Sequence, residues 1–326
     1  MVFIGREREI GWMRLYLEHE ANKILAVTGK ANCGKTALMQ EVMKRLAKTH
    51  TFYYVDLRFY HILHAQDLAL VLYKMFYPEK LYEEVAVKIG PFEIKLEEKV
   101  NAVEIANFLN ALFDEITVNL KKVKNPVLVV DELQVLKELY VNGEKKLIDR
   151  LMEFFISLTK HQHLAHVIVL TSDSTFYAEL YEDSGMQKRM IYKILDELAK
   201  EEAMQLIKYY LQRDNLPLSA REVYRYTGGN PALIDEVLLR TAIEGGDKRA
   251  FRRIIRLMIE DEKWRIERVA KKAKLSLKPM ESYDYEEGMV FVEENVLFFN
   301  VDTKKYEPQH SIIELVWNEL LEKKGE

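Results

Sequence analysis

Cysteine is almost absent from this chain. Cys33 is the single one in 326 residues, which rules out an intramolecular disulfide and a zinc site built on thiolates. No run of eighteen apolar residues occurs, so the signal of a membrane-spanning helix is missing. The first ten residues, MVFIGREREI, carry charge where a signal peptide needs an apolar stretch. Low-complexity segments and fixed-period repeats are missing as well. Nor does one sign of charge dominate: 48 Lys and Arg face 52 Asp and Glu, a net charge of −4 that does not advertise a nucleic-acid binder over the whole chain. These absences lead us to expect a soluble, cytoplasmic protein with no membrane partner.

Hydrophobic residues make up 48% of the chain, enough to build a core and to argue against disorder. The length allows more than one domain. Charged residues reach 31%, above the usual ~25%, in a Lys, Arg and Glu mix common in thermophile proteins.

The first half alternates short apolar runs with amphipathic helical stretches, the pattern of a parallel sheet wrapped by helices. KILAVTG (23–29), TFYYVDLRF (51–59), NPVLVVDELQVL (125–136), AHVIVLTSDS (165–174) and MIYKILDEL (190–198) read as strands. Helices are predicted over 35–48, 67–77, 104–122 and 143–161. VAVKIGPFEIKLEEK (85–99) alternates on both sides of Gly90-Pro91 and reads as an inserted hairpin. Beyond Leu195, helical periodicity takes over to about residue 260. VLFFNV, DTKK and KYEPQH then form a strand, a turn and a strand before a last helix, SIIELVWNELLEK.

GKANCGKT places Gly29, Gly34, Lys35 and Thr36 in the G-x-x-x-x-G-K-[ST] spacing, between an apolar strand and an amphipathic helix. That spacing serves phosphate. Gly29 lets the chain leave the strand sharply, and Gly34 lets backbone N–H groups approach the anion without a Cβ in the way. The helix opening at Lys35 aims its dipole and unpaired N–H groups at the phosphates. Lys35 adds a positive charge, and the Thr36 hydroxyl suits Mg²⁺. Lys30, Ala31, Asn32 and Cys33 form the body of the loop and Ala37 its exit, and all are counted as nucleotide contacts. Cys33 is read as incidental to redox chemistry. In VLVVDEL, Asp131 is a candidate to hold Mg²⁺ through water, and Glu132 to act as general base on the attacking water. The plainer alternative is an acidic pair opening a loop. Thr171 or Ser172, at the next strand end, could reach the γ-phosphate or the water, or be merely solvated.

FIGREREI (3–10), the loop, LVVDELQVL and YTGGNPALIDEVL (226–238) occur in the order found in the archaeal ATPase family, of the STAND-like branch of AAA+-type P-loop ATPases. The resemblance covers about residues 1–240. It implies an α/β fold with the AAA+ sheet order, ATP or ADP with Mg²⁺ as cofactors, a helical lid and a winged-helix domain. Three domains are expected: 1–195, an α/β ATPase domain; 196–246, the lid; 247–326, winged-helix-like. The resemblance places Phe3, Ile4, Gly5 and Arg6 near adenine and ribose, where Phe3 and Ile4 could shelter a purine face and Arg6 could contact ribose or anchor the segment; an ordinary ion-paired helix start reads the same way. Pro231, a good first-turn residue in any case, falls close to the nucleotide. Origin-recognition and clamp-loader relatives usually carry an arginine where this chain has Gly-Asn-Pro, which argues against a loader. Arg189 stands where AAA+ proteins keep an arginine finger, in cis or in trans, and with Lys188 it reads equally as a solvated basic end.

Residues 247 to 280 are rich in Lys and Arg, whereas 281–326 are acidic. RIERVAKKAKLS reads as a helix of a winged-helix unit with FFNVDTKKYEP as its wing, and such a helix meeting DNA phosphates and a solvated charged face both account for the basic run. The leading expectation is a slowly hydrolysing, nucleotide-dependent ATPase switch, with ATP as ligand and protein partners or self-association open. Its rival is a nucleotide-gated DNA-binding regulator.

Overall fold

The apolar segments of the first half pair side by side into one parallel sheet. A computed structural model describes residues 3–77, 86–89, 92–95, 102–137, 139–141, 145–173, 176, 186 and 188–323. Within them the strands are β1 (Ile24–Thr28), β2 (Thr51–Asp56), β3 (Ala86–Ile89), β4 (Phe92–Lys95), β5 (Pro126–Asp131), β6 (Tyr140–Val141), β7 (Lys145–Lys146), β8 (His166–Leu170), β9 (Met190–Ile194), β10 (Leu297–Asn300) and β11 (Lys305–Pro308). The main sheet runs β2-β5-β8-β1-β9, and every neighbouring pair is parallel. Its inner strands β1, β5 and β8 are buried at every position, whereas the edge strands β2 and β9 are mostly half-buried. Sheets covered on both faces need such uninterrupted apolar runs.

The helices are α1 (Glu7–Glu18), α2 (Lys35–Leu46), α3 (Ala65–Phe76), α4 (Ala102–Leu120), α5 (Leu147–Ile156), α6 (Lys200–Arg213), α7 (Ala220–Thr227), α8 (Pro231–Ile243), α9 (Lys248–Ala273), α10 (Tyr285–Glu293) and α11 (Ser311–Glu322). Successive strand residues point to opposite faces, and the two cores divide on that rule. Ile24, Ala26, Leu128, Val130, Val167 and Val169 join the cluster under α3, α4 and α5. Leu25, Val27, Val127, Val129, Ile168 and Leu170 join the cluster under α1 and α2.

A third cluster gathers Leu198, Ile207, Val223, Ile234 and Val237 with Phe251, Ile266, Phe291, Leu297, Ile313 and Trp317. The helices after the sheet and the C-terminal residues therefore share one core. At its centre the Trp317 ring meets Phe291 and Tyr283 edge-on, and its Nε1 donates to the Lys278 carbonyl at 3.1 Å.

Two expectations need correcting. Helix α5 begins at Leu147 rather than 143, because Tyr140–Val141 and Lys145–Lys146 pair as a short antiparallel ladder. β5 ends at Asp131, as expected of a strand that closes on two carboxylates, and Leu133–Leu136 then turn as a 3₁₀ segment that buries Leu133 and Leu136. Helix α9 runs unbroken to Ala273, joining the stretch expected to end near residue 260 to the helix read in RIERVAKKAKLS, because Ile254, Ile255, Ile266, Val269 and Ala270 keep one face in the third core. The inserted hairpin is present as β3 against β4, while its expected Gly90-Pro91 turn lies outside the described residues.

Trp317→Ala is expected to cost about 3–5 kcal/mol, as for other buried aromatic truncations. Because the core is shared, amides of α6–α8 and of α9–α11 should lose hydrogen-exchange protection together while β1, β5 and β8 keep theirs. Separate loss in the two groups would show that they unfold independently.

Candidate functional site

The C-terminal ends of parallel strands are where the backbone turns away, and in open α/β sheets that edge forms the ligand crevice. Here it carries Thr28, Asp56, Asp131 and Thr171 on adjoining strands or just beyond them. From Thr28 the chain turns through Gly29–Gly34 into α2. Gly34 is the N-cap with φ 97°, and no side chain caps the helix, so its first N–H groups are left for an anion. A Cβ on Gly29 would lie 2.3 Å from the Leu195 carbonyl oxygen, so only glycine lets the loop pass this close to the end of β9. Lys35 is buried, and its Nζ donates to the carbonyls of Gly29 and Lys30 at 3.0 Å each. An ammonium beside an uncapped helix start is suited to a polyphosphate.

Across the crevice, Thr36 Oγ1 donates to Asp131 Oδ2 at 2.7 Å, and the Tyr54 hydroxyl donates to the same oxygen at 3.2 Å. Burial, reinforced by the Asp131 carboxylate, pushes the Tyr54 phenol well up, so it stays a donor. A hydroxyl and a buried carboxylate, both hard oxygen donors within hydrogen-bond reach, fit Mg²⁺. Glu132 adopts a left-handed backbone with φ 59°, unusual for a residue with a side chain. Its Oε2 is held by Arg58 at 2.5 Å and by the amide of Gln134. Thr171 Oγ1 donates to Gln134 Oε1 at 2.8 Å. Base candidate and strand-end threonine thus share one amide.

A sequence model of the family described as "ATPase domain predominantly from Archaea" matches residues 3–237. The chain belongs to this archaeal ATPase family. An ATP-binding protein of Methanocaldococcus jannaschii is 32% identical over 211 residues, which span 64% of this chain and 63% of that one. An ATP-binding protein of Pyrococcus abyssi is 33% identical over 252 residues, 73% of this chain and 72% of its own. Among solved structures, a Walker-type ATPase of P. abyssi superposes with a TM-score of 0.60 at 15% identity, covering 97% of this chain and 96% of that one. An Aeropyrum pernix origin-recognition protein in complex with DNA gives 0.52 at 15% identity, covering 98% and 93%. These likenesses establish the AAA+-type P-loop fold.

The archaeal ATPase motifs after the sheet do close on the loop. Pro231 Cγ lies 3.6 Å from where a Gly34 Cβ would be. Asn230 caps α8 by accepting from the Leu233 N–H at 3.1 Å, while its Nδ2 faces the Ala31 carbonyl at 3.4 Å. The buried Arg6 guanidinium anchors its segment, the second of its two expected roles, by bracing the loop to the residues just after β9: it donates to the carbonyls of Cys33 and Asp196 at 2.8 and 2.6 Å. Gly5 is required there because a Cβ would strike the Glu202 side chain. Phe3 packs against the core under α1 and α2, and Ile4 against the third core. Cys33 is fully buried and burial raises its thiol pKa, which suits an inert residue. Asn32 is exposed, and Ala37 is half-buried on α2. Arg189 precedes Met190, which pairs with Ile24 at the start of β1. It therefore sits at the opposite edge of the sheet from its own loop, and the cis-finger reading is corrected on that ground.

Arg58, Tyr54, Gln134, Glu197, Glu307 and Gln309 were not singled out from sequence. Only Gln134, inside LVVDELQVL, lay within a motif. Glu197 lies near Lys30 and His310, and its Oε1 has no hydrogen-bond partner among the described residues. Burial raises its carboxyl pKa, against the opposing pull of Lys30, the Gly229 N–H, Asn230 and His310. A carboxyl raised in the folded state loses stability as pH climbs from the unfolded pKa through the folded one. Glu197→Gln should therefore raise Tm at pH ~7 and leave it nearly unchanged at pH ~3.5, below the ordinary glutamate value. An equal rise at both pH values in thermal unfolding would refute the charge as cause.

Proposed function

We propose that the protein binds ATP in the Gly29–Thr36 loop, hydrolyses it slowly with Glu132 as base, and uses the bound nucleotide to set the posture of the residues after the sheet. One observation carries this reading: a buried Lys35 and an uncapped α2 face a Thr36–Asp131 pair with Glu132 next in sequence. Thr36 and Asp131 would hold Mg²⁺, which when bound neutralises phosphate charge. Lys35 grips the β- and γ-phosphates, and the N–H groups of Gly34 to Ala37 cradle them. Glu132 takes the proton of the attacking water once Arg58 and Gln134 release its carboxylate. That prior release is the reason for expecting slow turnover.

We carry the division into 1–195, 196–246 and 247–326 as part of the proposal, with the second and third segments moving as one because they share a core. The hairpin β10–β11 would be the wing of a winged helix. Arg189 is available to a nucleotide on a second copy of the chain, so self-association would complete that finger. A cytoplasmic location is part of the same reading; among the described residues no helix is long and apolar enough to cross a membrane.

A DNA-regulator reading rests on the exposed Arg249, Arg252 and Arg256 of α9. It is weakened by ion pairs that engage Arg253 with Glu244, Arg265 with Glu262, Arg268 and Lys272 with Glu294, and Lys278 with Glu287. Affinity for duplex DNA that falls steeply with salt and differs between nucleotide states would favour it.

Two variants test the enzyme. Lys35→Ala should abolish measurable ATP binding in a folded chain. Glu132→Gln should bind ATP normally and lose turnover by roughly 10²–10⁴-fold, the scale of a general base. Normal affinity in the first, or near-normal phosphate release in the second, would remove the corresponding role.

A further inference from the structure

The phosphate loop is touched by residues nearly three hundred positions away. Gln309 Oε1 accepts from the Ala31 N–H at 3.0 Å, and Glu307 Oε2 pairs with Lys30 Nζ at 3.5 Å. Glu307 and Gln309 stand two apart at the end of β11, and Lys30 and Ala31 are consecutive in the loop. Gln309 is itself fixed: it is buried, its Nε2 donates to the Leu297 carbonyl at 2.9 Å, and its N–H donates to the Val296 carbonyl at 3.2 Å. Glu307 Oε1 accepts from Asn300 Nδ2 at 2.7 Å. The hairpin turn is tied to the sheet as well, with the Tyr192 hydroxyl donating to Asp302.

The Lys30–Ala31 peptide couples this contact to Lys35. A trans peptide is planar, so its N–H and C=O point opposite ways. The N–H points at Gln309, and the C=O accepts from Lys35 Nζ at 3.0 Å. Gln309 therefore orients the carbonyl that engages the lysine meant for phosphate.

We propose that Glu307 and Gln309 make the C-terminal hairpin a sensor of the third phosphate. Docked, they hold the Lys30–Ala31 peptide with its carbonyl on Lys35; a triphosphate competes for that lysine and loosens the hairpin. The inference rests on the nucleotide-switch reading above. Lys35 reaches toward the β- and γ-phosphates, so the Lys30 carbonyl lies at the γ end of the loop. A third phosphate adds acceptor oxygens for Lys35 and Lys30, and its charge repels the Glu307 carboxylate. A diphosphate does neither, and is compatible with the docked hairpin. A ligand shifts such a balance only by its difference in affinity for the two postures. Weakening the docked contacts must then favour ATP selectively.

The test compares affinities of ADP and of a non-hydrolysable ATP analogue, both with Mg²⁺, for the full chain, Glu307→Gln and Gln309→Ala. Thermal unfolding checks each variant. Glu307→Gln keeps shape at a half-exposed position and serves if Gln309→Ala fails to fold. Loss of one such contact should tighten the analogue roughly three- to ten-fold and leave ADP unchanged. If both ligands bind the unaltered chain but their ratio stays the same in the folded variants, the sensor is overturned and the ATP-binding reading stands. If the analogue alone weakens, Gln309 or Glu307 is a direct nucleotide ligand, which also overturns it. A chain that binds neither ligand overturns the functional reading and the sensor together.

Discussion

The whole arrangement depends on how closely the end of β9 approaches the phosphate loop. The Leu195 N–H donates to the Thr28 carbonyl at 2.7 Å, and the Leu195 carbonyl leaves room for no side chain at Gly29. The chain therefore leaves the sheet from a point already in contact with the loop. Arg6 secures the same junction by holding Cys33 and Asp196 at once, and the Leu198 N–H reaches the Gly229 carbonyl at 2.9 Å. The loop and the residues that follow the sheet are thus joined at several points.

Those residues share one core. The third core spans Leu198 to Leu320 without a break at Gly245-Gly246, so the helices after β9 and the C-terminal hairpin are held by the same apolar contacts. Polar contacts to the loop come from both ends of this body. Asn230 faces the Ala31 carbonyl from the start of α8, and Gln309 takes the Ala31 N–H from the end of β11. Packed cores respond to strain by shifting as units rather than deforming continuously, which makes this body a suitable lever for a nucleotide state.

The acidic side of the crevice is arranged differently. Asp131 is buried and fully engaged by Thr36, Tyr54 and its neighbour's N–H, so it is a fixed point. Glu132, one residue on, has a left-handed backbone and a carboxylate held by three side chains, Arg58, Gln134 and Ser172. Adjacent carboxylates thus have opposite characters, one anchored and one releasable, because a strand end points successive side chains in different directions.

Much of this was legible in the sequence. The apolar runs of β1, β5 and β8 announced a buried parallel sheet, and GKANCGKT announced the loop, because both are patterns among near neighbours that local geometry must obey. Asp131 and Glu132 were legible for the same reason. Other features had no local signature. Nothing near Arg6 says that its guanidinium will be buried against two carbonyls. Nothing near Arg189 says which end of the sheet it occupies, since that follows from β9 pairing in parallel with β1. The continuation of α9 to Ala273 depended on a core completed by residues up to Leu320. Glu307 and Gln309 were the least legible, because a hydrogen bond across 278 positions leaves no periodicity in either partner. The sequence by itself determined which residues are the candidates to hold a phosphate and a metal; only the tertiary structure decided what holds those residues in turn, because side-chain partners are chosen by packing rather than by spacing.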